Sequence, residues 1–347
     1  MKKVKAFLKK NLITIIGVSI SIGLVTYFCV TTGLDTFVES FRNLSPLWLF
    51  AAIAAMFLYW LFEALALHVL VHHIYPERRF SRSFRIAMVG QLYNAVTPFA
   101  SGGQPMQLYE MTVHDGMSMG SASSVMTRKC LVFQAGITVF SLVSLFYAYS
   151  FFSENISGFA IITLTGLSLN LIYLAALLML SYSPKLTNKL TNGVVKILTK
   201  LRLIKKPETI RERVDNQLHL FHESSNMFSA AKPVVALSYF FTFLQLVCYF
   251  LIPYCIYRCF GLYGAPVAMM VAAAAYVYMI SAFMPLPGGS GAAESSFYML
   301  FLLFFSSSVI APAMLLWRTI TYYSCLVAGA ATMALVKDNK RKCATTE

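Results

Sequence analysis

The sequence predicts an all-α fold: a polytopic integral membrane protein of about eight transmembrane helices, with broken or re-entrant segments between them. Three observations carry this. Of 347 residues, 58% are hydrophobic and only 12% charged, against about 25% charged in a typical soluble domain. Apolar runs of about 20 residues, the length that crosses a bilayer core, recur along the whole chain. Two Gly/Pro-rich breaks, Thr97–Pro105 and Pro285–Glu294, are each wedged between such runs.

Each element follows from local composition. Lys2, Lys3, Lys5, Lys9 and Lys10 place the N-terminus in the cytoplasm by the positive-inside rule. The run from Leu12 to Thr32 is span 1, too long for a cleaved signal segment. The near-neutral loop with Asp35, Glu39 and Arg42 falls outside. Span 2 is Pro46–Val71, and Arg78, Arg79, Arg82 and Arg85 return the chain to the cytoplasm. Ile86–Met111 is apolar enough to enter the membrane, but Pro98, Gly102, Gly103 and Pro105 forbid one continuous helix. Asp115, Arg128 and Lys129 then lie near the cytoplasmic surface. Span 3 is Leu131–Phe152 and span 4 Phe159–Tyr182.

Pro184–Lys232 carries ten Lys/Arg against four acidic residues and is cytoplasmic. Within it Leu186, Leu190, Val194, Ile197, Leu198 and Leu201 recur at helical spacing, as in a helix lying on headgroups or on the protein's own face. Spans 5 to 8 are Pro233–Tyr257, Ala265–Met284, Ala292–Phe305 and Pro312–Val336. Span 7 is barely long enough to cross. Lys337, Lys340, Arg341 and Lys342 close the chain in the cytoplasm, in a short polar tail. The whole reads as one transmembrane domain: a first half over 1–183, the basic loop 184–232, a second half over 233–336 and the tail 337–347. A break follows the second span of each half, which suggests a duplication about an axis along the membrane normal.

The net charge of +14 flanks spans instead of lining a soluble face, so it reads as topology and attraction to anionic lipid rather than nucleic acid binding. The seven cysteines show no metal-ligand spacing and read as small apolar side chains. No metal or cofactor is expected. Nucleotide-binding, serine-hydrolase and zinc-protease motifs are missing.

Irregular backbone at membrane depth survives only inside protein or beside a wet cavity, and paired Gly/Pro breaks point to a transporter's substrate site. The candidate substrate-binding residues are therefore those of the breaks. Asn94, Ser101, Gly102, Gly103, Gln104 and Gln107 belong to the first, and Pro287, Gly288, Gly289, Ser290, Gly291 and Glu294 to the second, with Arg318 in span 8. Ionisable groups within apolar segments are functional by default. Glu63, His68 and Glu110 are accordingly candidates for a proton or polar relay, though Glu63 and His68 are not quite on one helix face. If Gly291 caps a helix, its N–H groups can face a lipid phosphate. Equally, Glu294 can cap that helix and Arg318 can pair with a carboxylate. Strict spans put Glu294 and Arg318 too far apart to touch unless the glycine loop dips into the membrane.

Pro285–Glu294 resembles the P-x-P-G-G-x-G-x-x-E signature of the lysylphosphatidylglycerol synthase transmembrane family, also called flippase-like domain proteins. Asn94–Gln107 resembles that family's first motif, and Arg318 with Tyr322 and Tyr323 its last. Where many relatives have Gly-Glu and Arg in the first motif, this chain has Gly103-Gln104 and Gln107. The resemblance implies a lipid translocase of the bacterial inner membrane. It would move an anionic or aminoacylated phospholipid such as lysyl-phosphatidylglycerol between leaflets, as the membrane domain of the multiple peptide resistance factor does. Its partners would be the phospholipid, the bilayer and possible separately encoded lipid-modifying enzymes. Alternatives are a phosphatidylglycerol lysyltransferase or its membrane component, and a flippase for polyprenyl-linked sugars. The soluble lysyltransferase domain is not expected in this chain.

The charge asymmetry generates a topology test. A cysteine replacing Lys200, in a background without native cysteines, should react with an impermeant maleimide only after cells are permeabilised. Reaction in intact cells overturns the orientation.

Overall fold

A computed structural model describes residue 42 and residues 44–182, 207–282 and 284–335. The expected first span, the stretch 186–201 and the tail 337–347 lie outside the described residues. Among these, all regular structure is helical.

Helix α1 (Pro46–Ile74) opens on a proline at its first turn, contains no glycine, and stops before Pro76, which disfavours helical geometry at the residue ahead of it. Helix α2 (Phe80–Val96) ends the same way, one residue before the turn Pro98–Ala100. The short α3 (Gly103–Tyr109) runs into a π-helical turn, Glu110–His114. Ser118 caps α4 (Met119–Asn155), its hydroxyl accepting from the Ser121 amide at 3.1 Å. Then come α5 (Phe159–Tyr182), α6 (Pro207–Ala230), α7 (Lys232–Cys259) and α8 (Val267–Ser281). The second break turns at Pro287–Gly289 into α9 (Ala292–Phe301). Helix α10 (Ile310–Arg318), a π-helical turn Thr319–Tyr323 and α11 (Ser324–Leu335) complete the chain described.

Helices α1, α4, α5 and α7 are each long and apolar enough to cross a membrane. Their outward faces carry Phe50, Phe146, Ile161 and Phe240, all exposed, as contact with lipid tails requires. Three expectations change. Helix α4 starts at Met119, well before Leu131, so Arg128 and Lys129 lie within it and not in a surface loop. Helix α9 has only 10 residues, about 15 Å at 1.5 Å per residue, half of a core of about 30 Å. It does not cross, and the expected span 8 is interrupted by the π turn after Arg318.

Direction is read from contacts. Helices α1 and α7 are antiparallel: the Ser45 amide donates to the Cys259 carbonyl at 2.8 Å and the Ser238 hydroxyl to the Ala66 carbonyl at 3.2 Å. One end of the bundle is therefore basic, with Arg78, Arg82, Arg85 and Lys232. Helix α2 enters from that end, turns at Pro98–Ala100, and α3 returns to it, where Glu110 meets Arg85 at 2.7 Å and Asp115 meets Arg82 at 3.3 Å. Helix α8 enters from the opposite end, and the chain after α9 goes back there, stacking Phe305 edge-on to Tyr257 at 5.4 Å. The two hairpins approach from opposite ends, and their turns pack against each other.

The two hairpins are thus inverted relative to each other, not parallel as the axis along the membrane normal suggested by the sequence would have them, because the spacing of breaks carries an interval but no direction. The turns themselves match closely. Thr97 (φ −110°, ψ 149°) corresponds to Leu286 (φ −115°, ψ 148°), and Phe99 (φ 56°, ψ 16°) to Gly288 (φ 60°, ψ 18°).

Helix α6 docks on the basic end of α4 through small residues. The Gly120 amide donates to Gln217 at 2.8 Å, Ser224 to Ser121 at 3.0 Å, and Ser124 meets Ser225 at 3.2 Å. A Cβ on Gly120 would lie 2.3 Å from the Gln217 carbonyl oxygen. Gly120→Val should therefore unseat α6, lowering stability by about 1–3 kcal/mol. The expected readout is faster proteolysis within 207–230 in the purified variant.

Candidate functional site

The second break is built on glycine for two physical reasons. Gly288, Gly289 and Gly291 all have positive φ, at 60°, 63° and 88°, a region that side chains disfavour. A Cβ on Gly288 would also sit 2.2 Å from the Tyr322 ring, and one on Gly289 would press on the Ser281 carbonyl oxygen at 2.9 Å. A bulky residue at either position consequently tests the fold as much as the site.

Gly291 caps α9, and Glu294 folds back so that its Oε2 accepts the Gly291 amide at 2.7 Å. Its Oε1 accepts from Arg318 Nε at 2.8 Å, and Arg318 Nη1 donates to the Gly288 carbonyl at 3.1 Å. Both side chains are buried, Glu294 at 0% and Arg318 at 4% exposure. The guanidinium lies over the rings of Trp317 (5.1 Å) and Tyr322 (5.3 Å), and its Nη2 is buried with no hydrogen-bond partner. Glu294 and Arg318 therefore meet, which strict spans had forbidden. They do so because α9 turns back instead of crossing, so the glycine loop lies deep in the bundle. The helix-start amide that a phosphate was to face is taken by Glu294 itself.

The first break satisfies its backbone with uncharged groups. Asn94 Oδ1 accepts the Gly103 amide at 3.0 Å, Thr97 Oγ1 the Gly102 amide at 2.8 Å, and Ser101 donates to the Pro98 carbonyl at 2.9 Å. Ser290 makes the same bond to the Pro287 carbonyl, at 2.7 Å. Gln104 is exposed. The Tyr322 hydroxyl donates to the Ala95 carbonyl at 3.2 Å. That bond ties the arginine's surroundings to the first hairpin.

Gln107 turns away from the junction into a second buried cluster. Lys129 Nζ reaches Glu63 Oε1 at 2.7 Å and Gln107 Oε1 at 2.9 Å, and Gln107 Nε2 donates to Glu63 at 3.3 Å. Gln91 donates to the other Glu63 oxygen and, at 3.2 Å, to Tyr59. Helices α1 to α4 thus share one ion pair. Sequence reasoning missed Lys129 and Gln91. The signal for Lys129 was the proline-free run after the capping Ser118, which lets the helix start early and carries the lysine inward. His68 pairs instead with Ser83 at 3.1 Å, and Glu110 with Arg85 and His114. Glu63, His68 and Glu110 occupy three separate environments, as the five-residue spacing of the first two had implied.

A family model described as the lysylphosphatidylglycerol synthase TM region matches residues 14–329. The chain belongs to this family. It is also similar to a UPF0104 membrane protein of Archaeoglobus fulgidus, 24% identical over 330 residues that make up 91% of this chain and 97% of that protein. Both breaks, the Glu294–Arg318 pair and the Glu63–Lys129 pair fall inside the stretch matched to the lysylphosphatidylglycerol synthase TM family.

Removing one member of a buried ion pair strands the other, at a cost of about 3–5 kcal/mol, whereas replacing both with apolar residues is often near neutral. Lys129→Met should accordingly lower the unfolding stability of the purified protein more than Lys129→Met combined with Glu63→Met. Additive losses in this double-mutant cycle would show that the two groups do not depend on each other.

Proposed function

We propose that this chain is a lipid translocase of the bacterial inner membrane. It moves an anionic or aminoacylated phospholipid, such as lysyl-phosphatidylglycerol, between leaflets, with its basic end in the cytoplasm. The observation that carries this reading is the junction: two broken hairpins entering from opposite ends meet beside a buried guanidinium with an unspent donor. Inverted repeats with discontinuous helices place substrate at the repeat interface near mid-depth. A guanidinium offers a phosphodiester or carboxylate a planar, paired set of donors. A headgroup that engages Arg318 competes with Glu294 for it, which couples binding to the cap of α9.

The path has to open for this. The cavity between Ser281, Phe297 and Trp317 measures about 10 Å³, at the limit for a single water. The π turns after α3 and after Arg318 are the places where helix register can shift, since such turns are strained insertions into the α ladder. Headgroup passage then lowers a barrier that bare hydrocarbon sets at several kcal/mol or more, with the tails left in lipid and the motion passive or coupled to an ion. The family description, which names a synthase, favours a second reading as the membrane component of a lipid-modifying enzyme with a separately encoded catalytic partner.

Leaflet-resolved labelling of lysyl-phosphatidylglycerol in proteoliposomes tests the first reading. Arg318→Ala should slow translocation at least tenfold, about 1.4 kcal/mol or more of lost headgroup stabilisation. Arg318→Lys should restore part, since an ammonium keeps the charge and loses the fork. Wild-type rates in a folded Arg318→Ala protein place the path elsewhere.

A further inference from the structure

We infer that the end of the bundle opposite the basic one holds a headgroup site of its own, in which Arg258 binds the phosphate of a membrane phospholipid. Arg258 stands one residue before the end of α7, and the Ser45 amide, bonded to the Cys259 carbonyl at 2.8 Å, sets it level with the start of α1. Helix α7 has 28 residues, about 42 Å at 1.5 Å per residue, against a hydrocarbon core of about 30 Å. With Lys232 at its first residue in one headgroup layer, α7 carries Arg258 into the other. Rings hold the side chain there. Its guanidinium carbon lies over Trp48 at 4.7 Å and over Tyr263 at 4.3 Å, with the Tyr254 ring at 6.0 Å. The chain folds locally to make this box. Gly261, at φ 71°, ends α7 and lets the Leu262 amide return to the Tyr257 carbonyl at 3.3 Å, a common glycine stop for a helix. The Tyr257 hydroxyl then donates to the Tyr263 carbonyl at 2.8 Å. That bond fixes Tyr263 over the arginine although the residue is 70% exposed.

What the box lacks is a counter-charge. The Nη1 of Arg258 donates to the Tyr254 hydroxyl at 3.0 Å, and Tyr263 offers its hydroxyl as well, both neutral partners. Its Nε is buried with no hydrogen-bond partner. Among the described residues no carboxylate forms an ion pair with it. Ring faces attract a guanidinium without neutralising it, and it has more donors than two hydroxyls take up. The residue is only half-buried, so a ligand can reach it. Phosphate matches the planar fork of an arginine, and tryptophan and tyrosine at a helix end are residues of the headgroup level. Leu47 and Phe50, on either side of Trp48 in α1, are exposed apolar side chains. Acyl tails can therefore lie along α1 beneath a headgroup held at Arg258, a surface that inorganic phosphate leaves unused. Neither Arg318 nor either break takes part, so the site can hold a lipid whether or not the junction moves one.

Photolabelling of the full-length protein in nanodiscs tests this, with phosphatidylglycerol carrying a diazirine near its glycerol backbone as the probe. Peptide mass spectrometry reads where the label lands. A diacylglycerol with the same diazirine lacks the phosphate, and millimolar inorganic phosphate lacks the tails. In wild type and in Arg318→Ala the phosphatidylglycerol probe should enrich label in residues 46–50 and 254–263 over α5, and the diacylglycerol probe should not. Arg258→Gln should lower that enrichment about fivefold, as for one cation at a membrane surface. Tyr263→Ala changes an exposed residue and releases the guanidinium, and should lower it roughly twofold, the worth of an exposed cation–π contact. Equal enrichment in wild type and both variants overturns the site. If Arg258→Gln fails to fold, unchanged enrichment in Tyr263→Ala is enough to overturn it. Equal enrichment by the diacylglycerol probe overturns the role of the phosphate, and loss of label to inorganic phosphate overturns the assignment to a lipid.

Discussion

Lipid offers no hydrogen bonds, so every amide and carbonyl freed where a helix breaks inside the bilayer must find a partner within the protein. That constraint organises this molecule. At the first break Asn94, Thr97 and Ser101 supply the partners. At the second, Ser290, Glu294 and Arg318 do, and Tyr322 lends its hydroxyl across the gap to Ala95. The glycines, the packing of the two turns and the burial of an arginine deep in the bundle all follow from the need to close these accounts.

The two buried ion pairs differ in what they can give up. Glu63–Lys129 is satisfied on several sides by Gln91 and Gln107 and joins four helices of the first half. Glu294–Arg318 leaves the Nη2 of its guanidinium without a hydrogen-bond partner, and it belongs to the two short helices that flank a turn. Buried pairs of this kind are poor sources of stability compared with apolar packing. The first serves as a joint between helices. The second holds the cap of α9 deep in the bundle.

Much of the fold was legible because hydrophobic length is a strong signal. Helices α1, α5 and α7 fall within a few residues of the runs that predict them, and Pro98 and Pro287 mark both breaks. What the chain could not reveal was direction. A ten-residue apolar helix such as α9 reads equally as a weak crossing or as half of a hairpin, and only the return of Phe305 to Tyr257 decides it. Lys129 was misread for a related reason. A cation beside an apolar run marks a helix end by the usual rule, yet here a carboxylate on a neighbouring helix compensates it, and tertiary pairing is invisible to composition. The neighbourhood of Arg318 was legible as chemistry, through the glycine loop and Glu294, but their contact was not.

The depth at which the hairpins meet has an electrical consequence. Each hairpin runs from one end of the bundle to a shared turn region, so a group held there lies part-way through the transmembrane voltage. At 100 mV a full crossing changes the energy of one elementary charge by about 2.3 kcal/mol, and a half crossing by roughly 1 kcal/mol. A net cationic headgroup and a net anionic one feel that push in opposite directions. In the translocation proposed above, the resting potential of the cell would bias by charge what a passive path alone would pass both ways.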